Sequence, residues 1–451
     1  MGSCLERVGF VFAVAAAVLV LGLRFLSERA RRGRMFSKME SLSVFRFPAY
    51  RRYFVMRSLF SGSRHMLAVA IGWQVYEIAR QTRSIEESAV LLGFIGLAQF
   101  LPILILFLIA GQAADRVNRK SILVACNLVK IVAVVLLIIA SRLSDDAALG
   151  LMFGVAVIMG IVNSFAPSAS TSLYPLLVPR KDLPNAVSWN LIGYQGAAIF
   201  GPALAGGLFL ISINAVYVAA ILMLLVSTAA IATTQIPKHN VRNDVKAIAL
   251  IREGLGYIAS KPTILGAILL DFIVVFFSGA TALLPIFARD ILHIGPEGLG
   301  VLRAAPAFGG IIVGYALAAY PLVRRVGFWL LASVAITGVS MFVFGSSGAV
   351  WLSFCALGVY GGADMMSVYI RQSLIQLTTP EHLRGRVAAV SFLFVAGSNE
   401  LGEFESGIAA RFLGPVGAVF LGGSAAILVS TLWIKVFPTL ARADRMEPSE
   451  T

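Results

Sequence analysis

The sequence predicts an all-α membrane protein made of two six-helix bundles. Three observations carry that expectation. Of 451 residues, 58% are hydrophobic and 13% charged, with a mean hydropathy of +0.86, whereas soluble domains carry about 25% charged residues. Apolar stretches recur at the roughly 20-residue length that a hydrocarbon core of about 30 Å requires. Finally, a segment near the middle of the chain repeats near its end. SLYPLLVPRKDLPNAVS at 172–188 aligns with SLIQLTTPEHLRGRVAAVS at 373–391 at an offset of 201, with a two-residue insertion before the shared Ala-Val-Ser. A parallel repeat of two halves is one of the known ways to build a membrane transporter.

The first apolar run, 8–26, is followed by Arg29, Arg31, Arg32, Arg34 and Lys38. A cleaved signal peptide places its basic residues before the apolar core and small residues after it, the reverse of this pattern. Two readings stay open: an extra N-terminal helix with its start outside, or a start-site artefact upstream of Met35 or Met39. Regular apolar periods begin at Phe45. Twelve spans are expected near 53–79, 89–114, 121–141, 147–172, 185–210, 213–235, 264–288, 297–322, 326–346, 349–377, 385–411 and 414–437.

The chain therefore divides into a basic N-terminal segment (1–42), a first bundle (43–235), a linker (236–263), a second bundle (264–437) and a short tail (438–451). The linker places Val245, Ile248, Ile251, Leu255 and Ile258 on one side of an amphipathic helix suited to a membrane surface.

Charge orients the spans. With the start of the first span inside, the inner loops carry Arg116, Arg119 and Lys120; Arg180 and Lys181; Lys238, Arg242, Lys246, Arg252 and Lys261; Arg324 and Arg325; and Arg384 and Arg386. The outer loops hold Arg80, Arg83, Arg142, Arg289 and Arg411. This bias puts both ends of the twelve-span core in the cytoplasm. The net charge of +14 is thus a signature of orientation in the bilayer, with no nucleic-acid partner implied.

Several enzyme and pump classes are disfavoured. The sequence holds no G-x-x-x-x-G-K-[S/T] nucleotide loop. Four scattered histidines (His65, His239, His293, His382) and three distant cysteines (Cys4, Cys126, Cys355) build no metal site, disulfide frame or catalytic triad. No enzyme, cofactor or metal is expected.

Polar residues inside apolar spans are costly, at about 2.5–3.5 kcal/mol for an ionised side chain on insertion scales, and so mark function by default. The eleventh span reads GSNELGEFESG (397–407). Glu400 and Glu403 are three apart and share a face, while Glu405 points elsewhere. Two close, buried carboxylates favour proton uptake, which makes them proton-coupling candidates together with Asp271 and Asp364. The competing reading is charge neutralisation by neighbouring basic residues. Other buried polar residues are Arg57, Arg64 and His65; Asn127 and Lys130; Asn163; Arg303; and Arg371, with Arg57 and Arg371 expected to snorkel toward the inner surface.

GQAADRVNRKSIL at 111–123 has the form of a tight charged turn between spans 2 and 3. It resembles the G-x-L-x-D-[R/K]-x-G-[R/K]-[R/K]-x-x-L loop of major facilitator superfamily transporters. Ala113 stands for the usual Leu and Asn118 for the usual Gly, a residue tolerant of positive φ. GPALAG at 201–206 is similar to the G-P-x-x-G-G element of exporting branches. With AYRRYFVMRSLFSG (49–62), LPNAVSWN (183–190) and RGRVAAVS (384–391), the pattern resembles the branch containing the enterobactin exporter and its drug-exporting relatives, over residues 43–437.

The resemblance implies the major facilitator fold, with spans 1, 4, 7 and 10 lining a central path. It implies that Gly111, Asp115, Arg116, Arg119 and Lys120 form a conformational latch, with Gly111 at a close helix approach. Arg64, Asn163, Phe277 and Met365 become candidates for the substrate path, and Gly201, Pro202 and Gly206 for a kink in span 5. One departure stands out: span 4 reads AVIMG at 156–160, without the Arg of the R-x-x-Q-G pattern of many proton-coupled exporters. The implied protein is a monomeric, proton-coupled exporter of amphipathic small molecules, siderophore- or drug-like, in the bacterial inner membrane. Its alternatives are an importer or lysolipid flippase of the same fold, or a transport-dead sensor or scaffold.

Overall fold

A computed structural model describes residues 43–235, 247–320, 322 and 324–444; the first apolar run and the early linker lie outside them. Span 1 is Pro48–Thr82, span 2 Ile85–Arg116, span 3 Arg119–Ala140, span 4 Asp145–Leu173, span 5 Leu183–Phe209 and span 6 Ile213–Ala232. After the linker helix Ala247–Ser260, span 7 opens as Pro262–Phe277, followed by span 8 (Gly295–Ala319), span 9 (Val326–Gly345) and span 10 (Val350–Thr378). Spans 11 and 12 share one element, Glu381–Val436, broken at Gly414 by φ 73° and ψ 165°, a conformation that glycine adopts without a Cβ penalty. No strand occurs among the described residues.

Local chemistry starts these helices where the sequence turns. Ser84 and Glu87 form a reciprocal capping box at span 2, satisfying two of the orphan N–H groups of a helix start. Ser212 caps span 6 through the Ala215 amide. Asn118 caps span 3 by accepting from the Lys120 amide at φ −60°. The expected positive φ is therefore absent there, because the side chain serves as an N-cap.

Nine helices among the described residues are long and apolar enough to cross a membrane, the last being the doubled span 11–12. Spans 1 and 10 fall outside that set. They carry polar residues in mid-helix (Arg64, His65 and Gln74; Asp364 and Arg371), and both were expected to line the central path.

The two halves share one core at one end and keep separate cores at the other. At the basic end, which carries the turns around 117 and 179, the cores are separate. Tyr50, Tyr53, Leu123, Leu173 and Ile231 form one core within the first half, while Leu330, Leu374 and Trp433 belong to the second. At the far end a single core runs through both halves, from Met66, Tyr76 and Tyr217 to Phe287, Leu299 and Phe344. Across the seam, span 2 packs on span 11 and span 5 on span 8. Each half thus lends its second and fifth spans to the other, as a twofold relation demands.

Glycines permit this close seam. A Cβ on Gly93 would lie 3.1 Å from Gly407 Cα, and one on Gly96 2.9 Å from Glu403 Cβ. At the equivalent place, a Cβ on Gly206 would lie 2.8 Å from the Glu297 carbonyl oxygen.

Two expectations need correction. Span 7 is not one helix over 264–288. It ends at Phe277 and continues as tight turns through Gly279–Leu283 and a wide turn at Phe287–Ile291. The break sits where a Cβ on Gly279 would come 2.0 Å from the Gly402 carbonyl oxygen. Gly111 makes no close helix approach, since a Cβ there would meet nothing within 4 Å. On the linker helix, which keeps its expected place, Ile258 joins Ile264, Leu383 and Val387 in a small core under span 11, and Leu255 is exposed.

The tail closes the second half. Beyond the short helix Pro438–Ala441, the Gly327 amide donates to the Ala443 carbonyl (2.9 Å) and the Arg325 amide to Asp444 Oδ1 (3.1 Å). Arg324 pairs with the same carboxylate at 3.5 Å. This grip holds Arg325 in its left-handed conformation, φ 56°.

Candidate functional site

The seam between the halves holds the densest set of charges inside the spans. Glu400 and Glu403 project from one face of span 11 toward span 2, where Gly96 leaves room for them. Arg303 of span 8 holds Glu403 Oε1 at 3.9 Å, and its other terminal nitrogen donates to the Thr281 carbonyl at 3.4 Å. That carbonyl lies in the tight turn that interrupts span 7, where it also accepts from the Leu284 amide. Arg64 of span 1 reaches both carboxylates electrostatically from the other half.

Behind Arg64 lies a second cation, Lys130 of span 3. Its ammonium is fully buried, 3.2 Å from Ser63 Oγ, 3.4 Å from the Phe60 carbonyl oxygen and 4.2 Å from the Phe60 ring centre. His65 stands edge-on to Tyr194 at 5.7 Å, with its Nε2 buried and unpartnered. The first half therefore presents Arg64 to the seam, with Lys130 buried behind it, and the second half presents two carboxylates and one cation.

Of the other proton-coupling candidates, Asp271 forms a buried ion pair with Arg371, which overturns the expected snorkelling of Arg371. Burying both charges together is tolerable where exposing either to lipid is not. Arg57 does not snorkel either; it donates to Ser170 Oγ of span 4 at 2.7 Å. Asp364 lies inside the second half, away from the seam, and faces the same small cavity as Asp271.

Among the path candidates, Asn163 is half-buried on span 4. Phe277 ends the helical part of span 7, edge-on to Phe276 at 5.1 Å. Met365 lies against the Gly310 and Gly314 positions of span 8 and so packs between helices instead of forming an open wall. Pro202 does not break span 5, which stays helical over Leu183–Phe209. Gly201 fits against Gly62 and His65 of span 1, and Gly206 against span 8, so the GPALAG element works as a packing face.

In the turn at 111–123, Arg119 Nε donates to the Ala114 carbonyl (3.2 Å) and Lys120 Nζ to the Thr234 carbonyl at the end of span 6 (3.0 Å), while Arg116 is exposed. The far end is fastened by ion pairs whose partners the sequence alone did not connect. Tyr76 donates to Asp290, Arg80 pairs with Asp290 at 3.5 Å, and Arg289 with Glu77 at 3.4 Å, joining span 1 to the end of span 7. Of the residues now at the seam, Gly93 and Gly96 had a legible signal in their spacing. The partnership of Arg303 with Glu403 had none.

Solved transporters share this architecture. The D-xylose-proton symporter superposes with a TM-score of 0.67 at 14% identity, covering 86% of this chain and 98% of that one. A bacterial homologue of the iron transporter ferroportin, in its inward-facing state, gives 0.65 at 14% identity over 88% and 99%. A POT family transporter in complex with 5-aminolevulinic acid gives 0.69 at 10% identity over 87% and 96%. These likenesses show the fold, and the family model that matches most of the chain makes it a transporter of the major facilitator superfamily.

Within that class the assignment is narrower. The model of the transmembrane secretion effector family matches residues 39–451, and the chain belongs to that family. It is similar to the enterobactin exporter EntS of Citrobacter koseri, 22% identical over 411 residues, which covers 89% of this chain and 94% of that one. The EntS of Escherichia fergusonii is likewise 22% identical, over 90% and 95%.

Proposed function

We propose that this protein is a proton-coupled exporter of amphipathic small molecules, siderophore- or drug-like, working by alternating access in the bacterial inner membrane. The observation that carries this reading is the Glu400–Glu403 pair at the seam, covered by Gly96 of span 2 and countered by Arg303 and Arg64. Rocking of the halves that draws span 2 away from span 11 uncovers these carboxylates to the opposite side, so the movement that switches access for cargo switches access for the proton. Coupling then requires that cargo and proton favour different states. Similarity to enterobactin exporters supports export and the cargo class.

The basic end faces the cytoplasm in this reading, so both ends of the core are cytoplasmic and the side with separate cores opens inward. Asp115, with its basic neighbours, closes that side when the halves rock the other way. The protein acts as a monomer.

The test uses energised everted membrane vesicles with a fluorescent reporter of the pH gradient, to which a siderophore or a lipophilic dye is added. The wild type releases protons on addition, seen as partial recovery of fluorescence. Glu403→Gln and Glu400→Gln each abolish or greatly reduce the recovery at normal protein level. If both variants retain gradient-driven transport, the carboxylate pair does not carry the proton. Counterflow in the same vesicles reads the direction: uptake into everted vesicles marks export, and the opposite marks an importer.

A further inference from the structure

Apart from the seam, the second half encloses a small cavity between spans 7, 9 and 10. Its polar lining is Asp271, Ser278, Thr337, Tyr360, Asp364 and Ser367, and valines complete the wall. The charges do not cancel. Asp271 is neutralised by Arg371, whereas Asp364 has no Lys, Arg or His within ion-pair range among the described residues. An isolated carboxylate at this depth is neutralised either by a proton or by a bound cation.

Two further observations point to what supplies it. Ser278 is 3% exposed, and its hydroxyl lines the cavity without a hydrogen-bond partner. A buried hydroxyl without a protein partner has a lone pair and a proton to offer to a water or an ion in the cavity. The 16-residue first part of span 7 also terminates here, with Ser278 as its C-cap. The C-terminal end of a helix carries partial negative charge and favours cations. The hydroxyl of Thr337 donates away from the cavity, to the Ser333 carbonyl at 3.1 Å, which leaves its lone pairs free to accept.

We infer that this cavity binds one monovalent alkali cation of sodium size, held by the Asp364 carboxylate and the hydroxyl oxygens of Ser278, Thr337 and Ser367. A hard cation takes oxygen ligands, and oxygens are what the lining offers. A single uncompensated carboxylate matches a single charge. No group of three or more His, Cys, Asp or Glu that would suit a multivalent metal exists among the described residues. The ion ties spans 9 and 10 to the break in span 7. The same break carries Thr281, whose carbonyl holds Arg303 beside Glu403, so occupancy of the cavity sets the position of the charge that faces the seam.

The experiment needs no knowledge of the cargo, so its failure and the failure of the proton-coupling reading are separable. Full-length protein in detergent, in choline chloride at constant ionic strength, is titrated with radioactive sodium, and its melting temperature is followed in parallel. The wild type binds sodium saturably at one site and melts higher with it. Lithium competes, and potassium and choline do not. Asp364→Asn weakens binding tenfold or more, and Ser278→Ala weakens it several-fold. Should Asp364→Asn fold poorly, Ser278→Ala and Thr337→Val carry the test. Absence of saturable sodium binding by the wild type overturns the proposal, and so does binding that survives unchanged in these variants. Stabilisation by acid alone, with no response to sodium, shows that a proton and not a metal cation neutralises Asp364, and overturns it equally.

Discussion

A single methyl group at position 96 should tilt the conformational balance of the whole molecule. In the far-end-closed arrangement described here, a Cβ on Gly96 would lie 2.8 Å from the Glu400 carbonyl oxygen and 2.9 Å from Glu403 Cβ. Both distances fall well inside ordinary van der Waals contact, and two of the groups met are backbone or Cβ atoms that cannot swing aside. Spans 2 and 11 must separate by a fraction of an ångström along their tightest contact. Overpacking of this kind costs about 1–3 kcal/mol. The cost falls on this state alone, because the other state draws span 2 away. At about 1.4 kcal/mol per factor of ten, Gly96→Ala lowers the ratio of far-end-closed to far-end-open protein by roughly five- to more than a hundredfold.

Spin labels on the exposed positions Thr82 and Ser346, in a chain whose three cysteines are replaced by alanine, read this directly. The distance distribution between the labels moves to longer values, and transport slows because the return step becomes uphill. An unchanged distribution together with an unchanged transport rate would show that the glycine seam does not set the closed state, and the rocking account would have to be abandoned.

The remaining expectations follow from the same structure. Tyr76→Phe removes a hydrogen bond to the Asp290 carboxylate, worth about 1.5–3 kcal/mol, and shifts the same label distances toward the open far end by tenfold or more in population; no shift would detach this contact from gating. Arg371→Met leaves the buried Asp271 carboxylate uncompensated and destabilises by about 3–5 kcal/mol. The melting temperature drops sharply and largely recovers when Asp271→Asn is added, and failure to recover would show that the pair is not the source of the loss. Asp115→Asn abolishes transport at normal protein level in vesicles, while undiminished transport would remove its latch role.

The fold was legible because the bilayer imposes lengths and periods that a sequence cannot hide. All the expected spans but the broken span 7 fall close to their expected positions, and the break between spans 11 and 12 sits at a Gly-Pro step, Gly414–Pro415. The shared face of Glu400 and Glu403 followed from helical geometry alone. What could not be read depends on which helices become neighbours. Asp271 and Arg371 meet across a hundred residues of sequence, and nothing in their local context distinguishes a pair from two lone charges. Arg303 was visible as a buried charge, but its place beside Glu403 depends on the interruption of span 7. That interruption arises from a contact between two glycines, Gly279 and Gly402, on different helices. Gly111 differs again: a Cβ there would meet nothing within 4 Å, and a small residue's local context does not tell whether another helix comes to meet it.

The grip of the C-terminal segment on the turn before span 9 has a practical consequence for anyone handling this protein. Residues as far as Asp444 belong to the folded body, since they fasten Gly327, Arg324 and Arg325 in place. A fluorescent fusion or affinity handle joined beyond Asp444 leaves that clasp whole and reports on intact molecules. A handle spliced directly after Phe437 discards the clasp, frees the entry to a helix, and yields material whose defects would be misread as those of the mutation under study.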